Sequence, residues 1–405
     1  MLLSLAIVVA SLAEAAAHTS LEFSVPRGAW WQGSVRATIV RPERKATGIA
    51  VVAHCTLCWG DWYPHLERLA DTHDLMMVFL HSDVIDSPRH FFDFSNGAPH
   101  TWFSGYGEDM TKVLHTVRDS ANEFGSELYG TLLPAAPAVA VGHSLGGAGS
   151  LIATSRDEDF EGAFVMSPCV VHSETLASIS KPIMVLSATE DGICPPARTA
   201  RPYYAALSRA PELYYAEIVG GTHCAFMDVS GTNWEAGARL GAVTVWPEAG
   251  SFAEPSSRIP TGAQLGVAEA AGGACRLAER GVGLLLGAPP PAETLENDAQ
   301  RATTARLAGL FFDALLGTAA ERSGAGAGGG LGPCPTEKPL SASAPCPPAG
   351  SGRGALLAAL AADEAAGLLS NVQSALGARE ESPAPEGAHL ASQNYLALLQ
   401  ECLCV

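Results

Sequence analysis

The chain reads as an α/β protein, with a mostly parallel central sheet covered by helices on both faces. Three observations predict this. From about residue 35 to 230 short apolar runs alternate with stretches long enough to be crossover helices. Four consecutive runs, from GIAVVAH to GAFVMS, have continuous apolar cores, as strands buried on both faces should. The composition, 47% hydrophobic and 16% charged, supplies a sizeable core.

The predicted strands, in order, are VRATIV (35–40), GIAVVAH (48–54), LMMVFLH (75–81), AVAVG (138–142), GAFVMS (162–167), IMVLSA (183–188) and LYYAEIV (213–219). Between them DWYPHLERLADTH, GEDMTKVLHTVRDSANEF, SLGGAGSLIAT and ARTARPYYAALSRA can each form a crossover helix. Residues 231–295 carry scattered Trp, Gly and Pro and read as an irregular excursion. Leu307, Leu310, Phe311, Ala314 and Leu315 then recur at helical spacing, closed by Gly317, and this helix ends a domain drawn at 18–318. Residues 319–354 are a Gly/Pro/Ser/Ala-rich linker, too poor in apolar side chains to order itself. The remainder, 355–405, reads as a helical tail: an Ala/Leu-rich helix over about 355–377 and a short apolar one near the end.

A net charge of -18 argues against nucleic-acid binding, which needs Lys and Arg to neutralise phosphates. Residues 1–17 combine an apolar run, Leu2 to Ala13, with small residues at Ala15, Ala16 and Ala17, the pattern of a secretory signal peptide. The expected location is therefore secreted or within the secretory pathway. No stretch is long and apolar enough for a comfortable membrane span. Ten cysteines permit up to five disulfides in a secreted chain.

The chemistry centres on GHSLGG, residues 142–147. A serine hydroxyl is a weak nucleophile and needs a base, usually His, which a carboxylate in turn orients. A G-x-S-x-G turn between a strand and a helix exposes such a serine, and AVAVG before Ser144 and SLIAT after it supply that context. The acid should follow a later strand and the base the last one. TEDGICPP, after IMVLSA, offers Glu190 and Asp191; GGTHCAF, after LYYAEIV, offers His223. The residue after the nucleophile, Leu145, should give one N–H of an oxyanion hole, with a second from the loop after GIAVVAH.

These motifs resemble those of the α/β-hydrolase superfamily, over about residues 35–230 plus the helix near 304–316. GHSLGG, ATEDGICPP and GGTHCAF are most similar to the serine esterases among the dienelactone hydrolase, cutinase-like polyester hydrolase, chlorophyllase and platelet-activating-factor acetylhydrolase groups. The resemblance implies a Ser144–His223–Asp191 triad, with Asp191 preferred to Glu190 because Pro195 follows it by four residues. It places Thr56 at the second oxyanion position, although His54-Cys55-Thr56 stands where family members commonly show His-Gly-x. It also makes a Cys194–Cys224 disulfide between the acid and base loops an expectation, since some polyester hydrolases carry a comparable bridge; such a loop closure contributes on the order of 3 kcal/mol. No metal or organic cofactor is implied, and the expected partner is a small-molecule, lipid or polymer ester.

Two readings of the aromatic residues stay open. Trp102 and Phe103, in a long aromatic loop, and Trp59 and Trp62, beside the oxyanion position, either line the substrate cavity or pack as satellite core. His143 is expected to pack the turn. The pair Cys55-x-x-Cys58 permits a thiol-oxidoreductase alternative, but that reading leaves Ser144, Asp191 and His223 unexplained. A non-catalytic binding protein of the same fold is the other alternative.

Overall fold

A computed structural model describes residues 19–27, 34–55, 60–81, 104–168, 171, 173–228, 297–317 and 352–376. The expectations for the 1–17 signal peptide, the 231–295 excursion, nearly all of the linker and the tail beyond 376 lie outside these residues.

Nine strands form one sheet among the described residues: β1 (Thr19–Pro26), β2 (Ser34–Arg41), β3 (Gly48–Ala53), β4 (Leu75–His81), β5 (Ala138–His143), β6 (Phe160–Met166), β7 (Ile183–Ala188), β8 (Glu212–Ile218) and β9 (Leu369–Leu376). Their order is β1-β2-β4-β3-β5-β6-β7-β8-β9. The strands from β3 to β8 run parallel, while β1, β2 and β9 add antiparallel edges. This is the predicted α/β architecture, and each predicted run is a strand. The additions are β1, whose mixed polar and apolar residues hide it, and β9.

Period-two alternation divides the apolar runs between two core layers. Ile49, Val51, Val78, Ala140 and Val185 face one layer, covered by α3 (Ser104–Asn122), α4 (Leu145–Arg156) and α6 (Ala200–Ala206) through Met110, Val113, Leu151 and Tyr203. Ala50, Val52, Phe79, Val141 and Leu186 face the other. That layer is covered by α1 (Pro64–Glu67), α2 (Leu69–His73), α7 (Asn297–Leu316) and α8 (Gly352–Ala365), through Leu66, Leu69, Phe311, Phe312 and Leu360. One further short helix, α5 (Ser173–Ser178), follows β6.

The helix expected over 355–377 is shorter and gives way to a strand. It ends at Ala365, Gly367 takes a left-handed φ of 71°, and Leu369–Leu376 turns back as β9 along β8. The Ala/Leu richness of 355–365 fades gradually through GLLSNVQSAL without a sharp stop, and β9 caps an edge that β8 would otherwise leave open.

A buried carboxylate pins this edge strand. Glu217 of β8 is fully buried, receives Arg201 Nε at 2.6 Å and Nη2 at 2.9 Å, and is also bonded by the Tyr215 hydroxyl and by Asn371 Nδ2 at 2.8 Å. Burial pushes its pKa up, but the bonds from Arg201, Tyr215 and Asn371 outweigh this and hold it below the usual carboxylate range. Asn371 itself sits at φ 51°, a left-handed conformation that Asn tolerates better than Ala. Asn371→Ala should therefore destabilise the fold by about 2 kcal/mol, and Asn371→Gly by less, because Gly loses the bond without the strain. Urea unfolding of the two variants measures this; an unchanged midpoint for Asn371→Ala would show that the bond does not hold β9.

Candidate active site

The strand order reverses at β3, which has β4 on one side and β5 on the other. In parallel α/β sheets the crevice outside the carboxyl ends of the strands at such a reversal is where ligands bind. Here those ends are His54-Cys55 after β3 and Ser144 after β5.

Ser144 stands between β5 and α4 at φ 57°, ψ -119°, and its N–H donates to Met166 O at 2.9 Å. A non-glycine residue holds this conformation only where the surroundings enforce it. Two glycines make the enforcement possible. A Cβ on Gly142 would lie 2.1 Å from Gly146 O, and one on Gly146 would lie 2.2 Å from Ala53 O. The ends of β5, β3 and α4 thus meet backbone to backbone, which explains the glycine at each flank of the serine. Leu145 opens α4, so its N–H belongs to the helix's unpaired first turn, where the dipole favours negative charge.

Asp191 follows β7. Its Oδ1 accepts the N–H groups of Ile193 (2.9 Å) and Cys194 (2.6 Å), and its Oδ2 lies 2.8 Å from His223 Nδ1. Both carboxylate oxygens are occupied, so the group cannot swing away from the imidazole. Glu190 is turned elsewhere, its carboxylate meeting Thr189 Oγ1 at 3.4 Å. Between the two carboxyls, the structure brings Asp191 to His223.

His223 lies on the loop after β8, and several contacts hold that loop. The Glu190 N–H donates to Gly221 O at 2.9 Å, and the Gly220 N–H to Thr189 Oγ1 at 2.9 Å. The fully buried Gln300 of α7 clamps Thr222 from both sides, accepting its N–H at 2.9 Å and donating to its carbonyl at 2.8 Å. Arg301 donates to Met227 O at 2.9 Å, and the Asp228 N–H to Trp62 O at 2.7 Å. The His223 ring then lies 4.6 Å, centroid to centroid, from that of His143, the residue before Ser144. His223 therefore stands beside the turn that carries Ser144, with Ser144, Asp191 and His223 each only 3% exposed. His143 is held neutral, its pKa pushed well below the ordinary histidine value by burial first and then by the neighbouring His223.

Thr56, Trp59, Trp102 and Phe103 lie outside the described residues. Trp62 is packed into the core with Tyr63, Leu66, Phe226 and Met227 and is 4% exposed. The expected Cys194–Cys224 bridge is not formed. Cys194 is a buried thiol whose backbone serves Asp191, while Cys224, which opens the turn Cys224–Phe226, and Cys55 are both disulfide-bonded. The acid and base loops are joined to each other by the Glu190–Gly221 and Gly220–Thr189 hydrogen bonds. Gln300 and Tyr63 were not foreseen as part of this region; nothing in their local sequence marks them.

A family described as PET hydrolase-like matches residues 104–242, a span that includes Ser144, Asp191 and His223. Among curated proteins, the chain is 33% identical over 85 residues to Cutinase 1 of Thermobifida cellulosilytica, covering 21% of this chain and 32% of that protein. It is 33% identical over 85 residues to a cutinase of Thermobifida fusca (strain YX), covering 21% and 28%. A bis(hydroxyethyl) terephthalate hydrolase of Streptomyces coelicolor is 31% identical over 83 residues, covering 20% and 26%. The matched part thus spans a third or less of these relatives' length. Together with the sheet order, these likenesses uphold the resemblance to the α/β-hydrolase superfamily and its polyester and ester hydrolases.

Proposed function

We propose that this α/β-hydrolase-fold chain is a carboxylic ester hydrolase working through Ser144, His223 and Asp191. The observation that carries the reading is the Asp191–His223 pair set beside a strained serine elbow. His223 takes the Ser144 proton as Oγ attacks the ester carbonyl, then delivers it to the leaving alcohol, giving an acyl-enzyme. Water, deprotonated by the same imidazole, releases the acid and regenerates the serine. Asp191 keeps Nδ1 as the protonated nitrogen, leaving Nε2 to exchange protons. The Leu145 N–H, with that of Thr56, stabilises the tetrahedral oxyanion. No step calls for a metal or an organic cofactor.

The names of the relatives extend the reading to esters of hydroxy-acid and terephthalate polymers and their fragments, acted on outside the cell if residues 1–17 direct secretion. No helix among the described residues is long and apolar enough to cross a membrane. The test is covalent labelling by a fluorophosphonate with turnover of a short p-nitrophenyl ester. The folded protein should label at Ser144. Asp191→Asn should lose on the order of 10⁴ in kcat, because the wrong imidazole tautomer is then favoured, whereas Glu190→Gln should change it only mildly. Absent labelling would sink the hydrolytic reading; the reverse ranking of the two variants would transfer the acid role to Glu190.

A further inference from the structure

Tyr63 lies directly behind the elbow, on the segment between β3 and α1. Its ring is fully buried, and its hydroxyl has two partners. The Cys55 N–H, just past the end of β3, donates to Tyr63 Oη at 3.2 Å, and His143 Nδ1 lies 2.9 Å from the same oxygen. The phenol has one proton to give, the Cys55 N–H cannot accept it, and of the two partners only His143 Nδ1 can. His143 is then the Nε2–H tautomer. Burial raises the Tyr63 pKa far above its ordinary value, so the phenol remains a neutral donor.

His143 in turn meets the two rings of the base loop. Its centroid is 4.6 Å from His223 and 5.3 Å from Phe226. The neighbour of Tyr63, Trp62, holds the far end of the same loop through its carbonyl and the Asp228 N–H. One short segment therefore touches the strand end that carries the oxyanion loop, the residue before the nucleophile, and the loop of the base.

We propose that Tyr63 is a positioning residue for hydrolysis: its hydroxyl ties the Cys55 backbone to the His143 imidazole and so fixes the flat wall against which His223 is set. The proposal rests on the hydrolytic reading above. Without the hydroxyl, His143 loses a bond that orients its ring, and His223 loses a fixed neighbour while keeping Asp191. Misplacement of a base by a fraction of an ångström acts on the chemical step more than on substrate binding.

The experiment compares the full chain with Tyr63→Phe, His143→Phe and the double variant, using p-nitrophenyl ester kinetics, fluorophosphonate labelling rate and thermal unfolding. Tyr63→Phe should lower kcat by about tenfold or more with KM within about twofold, and slow labelling by the same factor. The double variant should be no slower than His143→Phe alone, because the hydroxyl acts through that ring. Unchanged kcat with a lowered melting temperature, a change confined to KM, or additive losses in the double variant would each overturn the proposal. Wild-type protein that neither labels nor turns over ester overturns the hydrolytic reading itself, and this proposal with it.

Discussion

Ser144→Ala should abolish ester turnover and leave the fold intact. With the nucleophile gone, what survives is the oxyanion site and substrate binding, so kcat should fall by about 10⁴ or more. The folded state should hardly notice, because Ala and Ser carry the same strain at φ 57°. Ser144→Gly sharpens the test. It should be equally inactive but at least as stable as the parent, by up to about 1 kcal/mol, since glycine occupies this conformation without a Cβ clash. The elbow would then be a place where stability is given up for reactivity. Ester hydrolysis and calorimetry on the same preparations measure both. Turnover within tenfold of the parent in Ser144→Ala would place the nucleophile elsewhere.

Gly146→Ala should be among the most damaging single changes to the fold. In an ordinary helix the substitution is stabilising by about 1 kcal/mol. Here the added Cβ would stand 2.2 Å from Ala53 O and 2.5 Å from His54 O. Both obstacles are main chain at the end of β3, so no rotamer change relieves the clash, and α4 must move off the sheet. A loss of about 3 kcal/mol or more, or failure to accumulate as soluble protein, is expected. Gly149→Ala, in the same helix, is the control. The three atoms nearest its Cβ would all belong to the Tyr106 side chain, at 3.2 Å and beyond, a tight contact rather than an overlap with main chain. Chemical unfolding should find Gly149→Ala within about 1 kcal/mol of the parent; equal losses in the two variants would sink the backbone-contact explanation.

The ease with which the central strands are read has a direct cause. A strand buried on both faces is apolar along nearly its whole length, and GIAVVA, LMMVFLH and IMVLSA are, with His81 and Ser187 near strand ends as the polar exceptions. Edge strands carry no such signature. β1, TSLEFSVP, alternates with solvent-facing residues, and β9, LSNVQSAL, follows a helix whose Ala and Leu composition masks where it stops. Its strand state is decided by the open side of β8 and by Glu217, which needs the Asn371 amide.

The amino-acid sequence by itself determined the residue types at the site: a serine between two glycines after one strand, a carboxylate after a later one, a histidine after the last predicted strand. Those are short-range patterns, set by what a tight strand-to-helix turn and a strand end can accommodate. Tertiary structure decided the pairings. It put Asp191 rather than Glu190 on His223, left Cys194 a thiol while Cys224 is disulfide-bonded, buried Trp62, and brought Gln300 to Thr222 and Tyr63 to His143 across 78 and 80 residues. Periodicity reports which face a side chain takes, whereas partners so far apart along the chain meet only once the sheet order and both helix layers are in place.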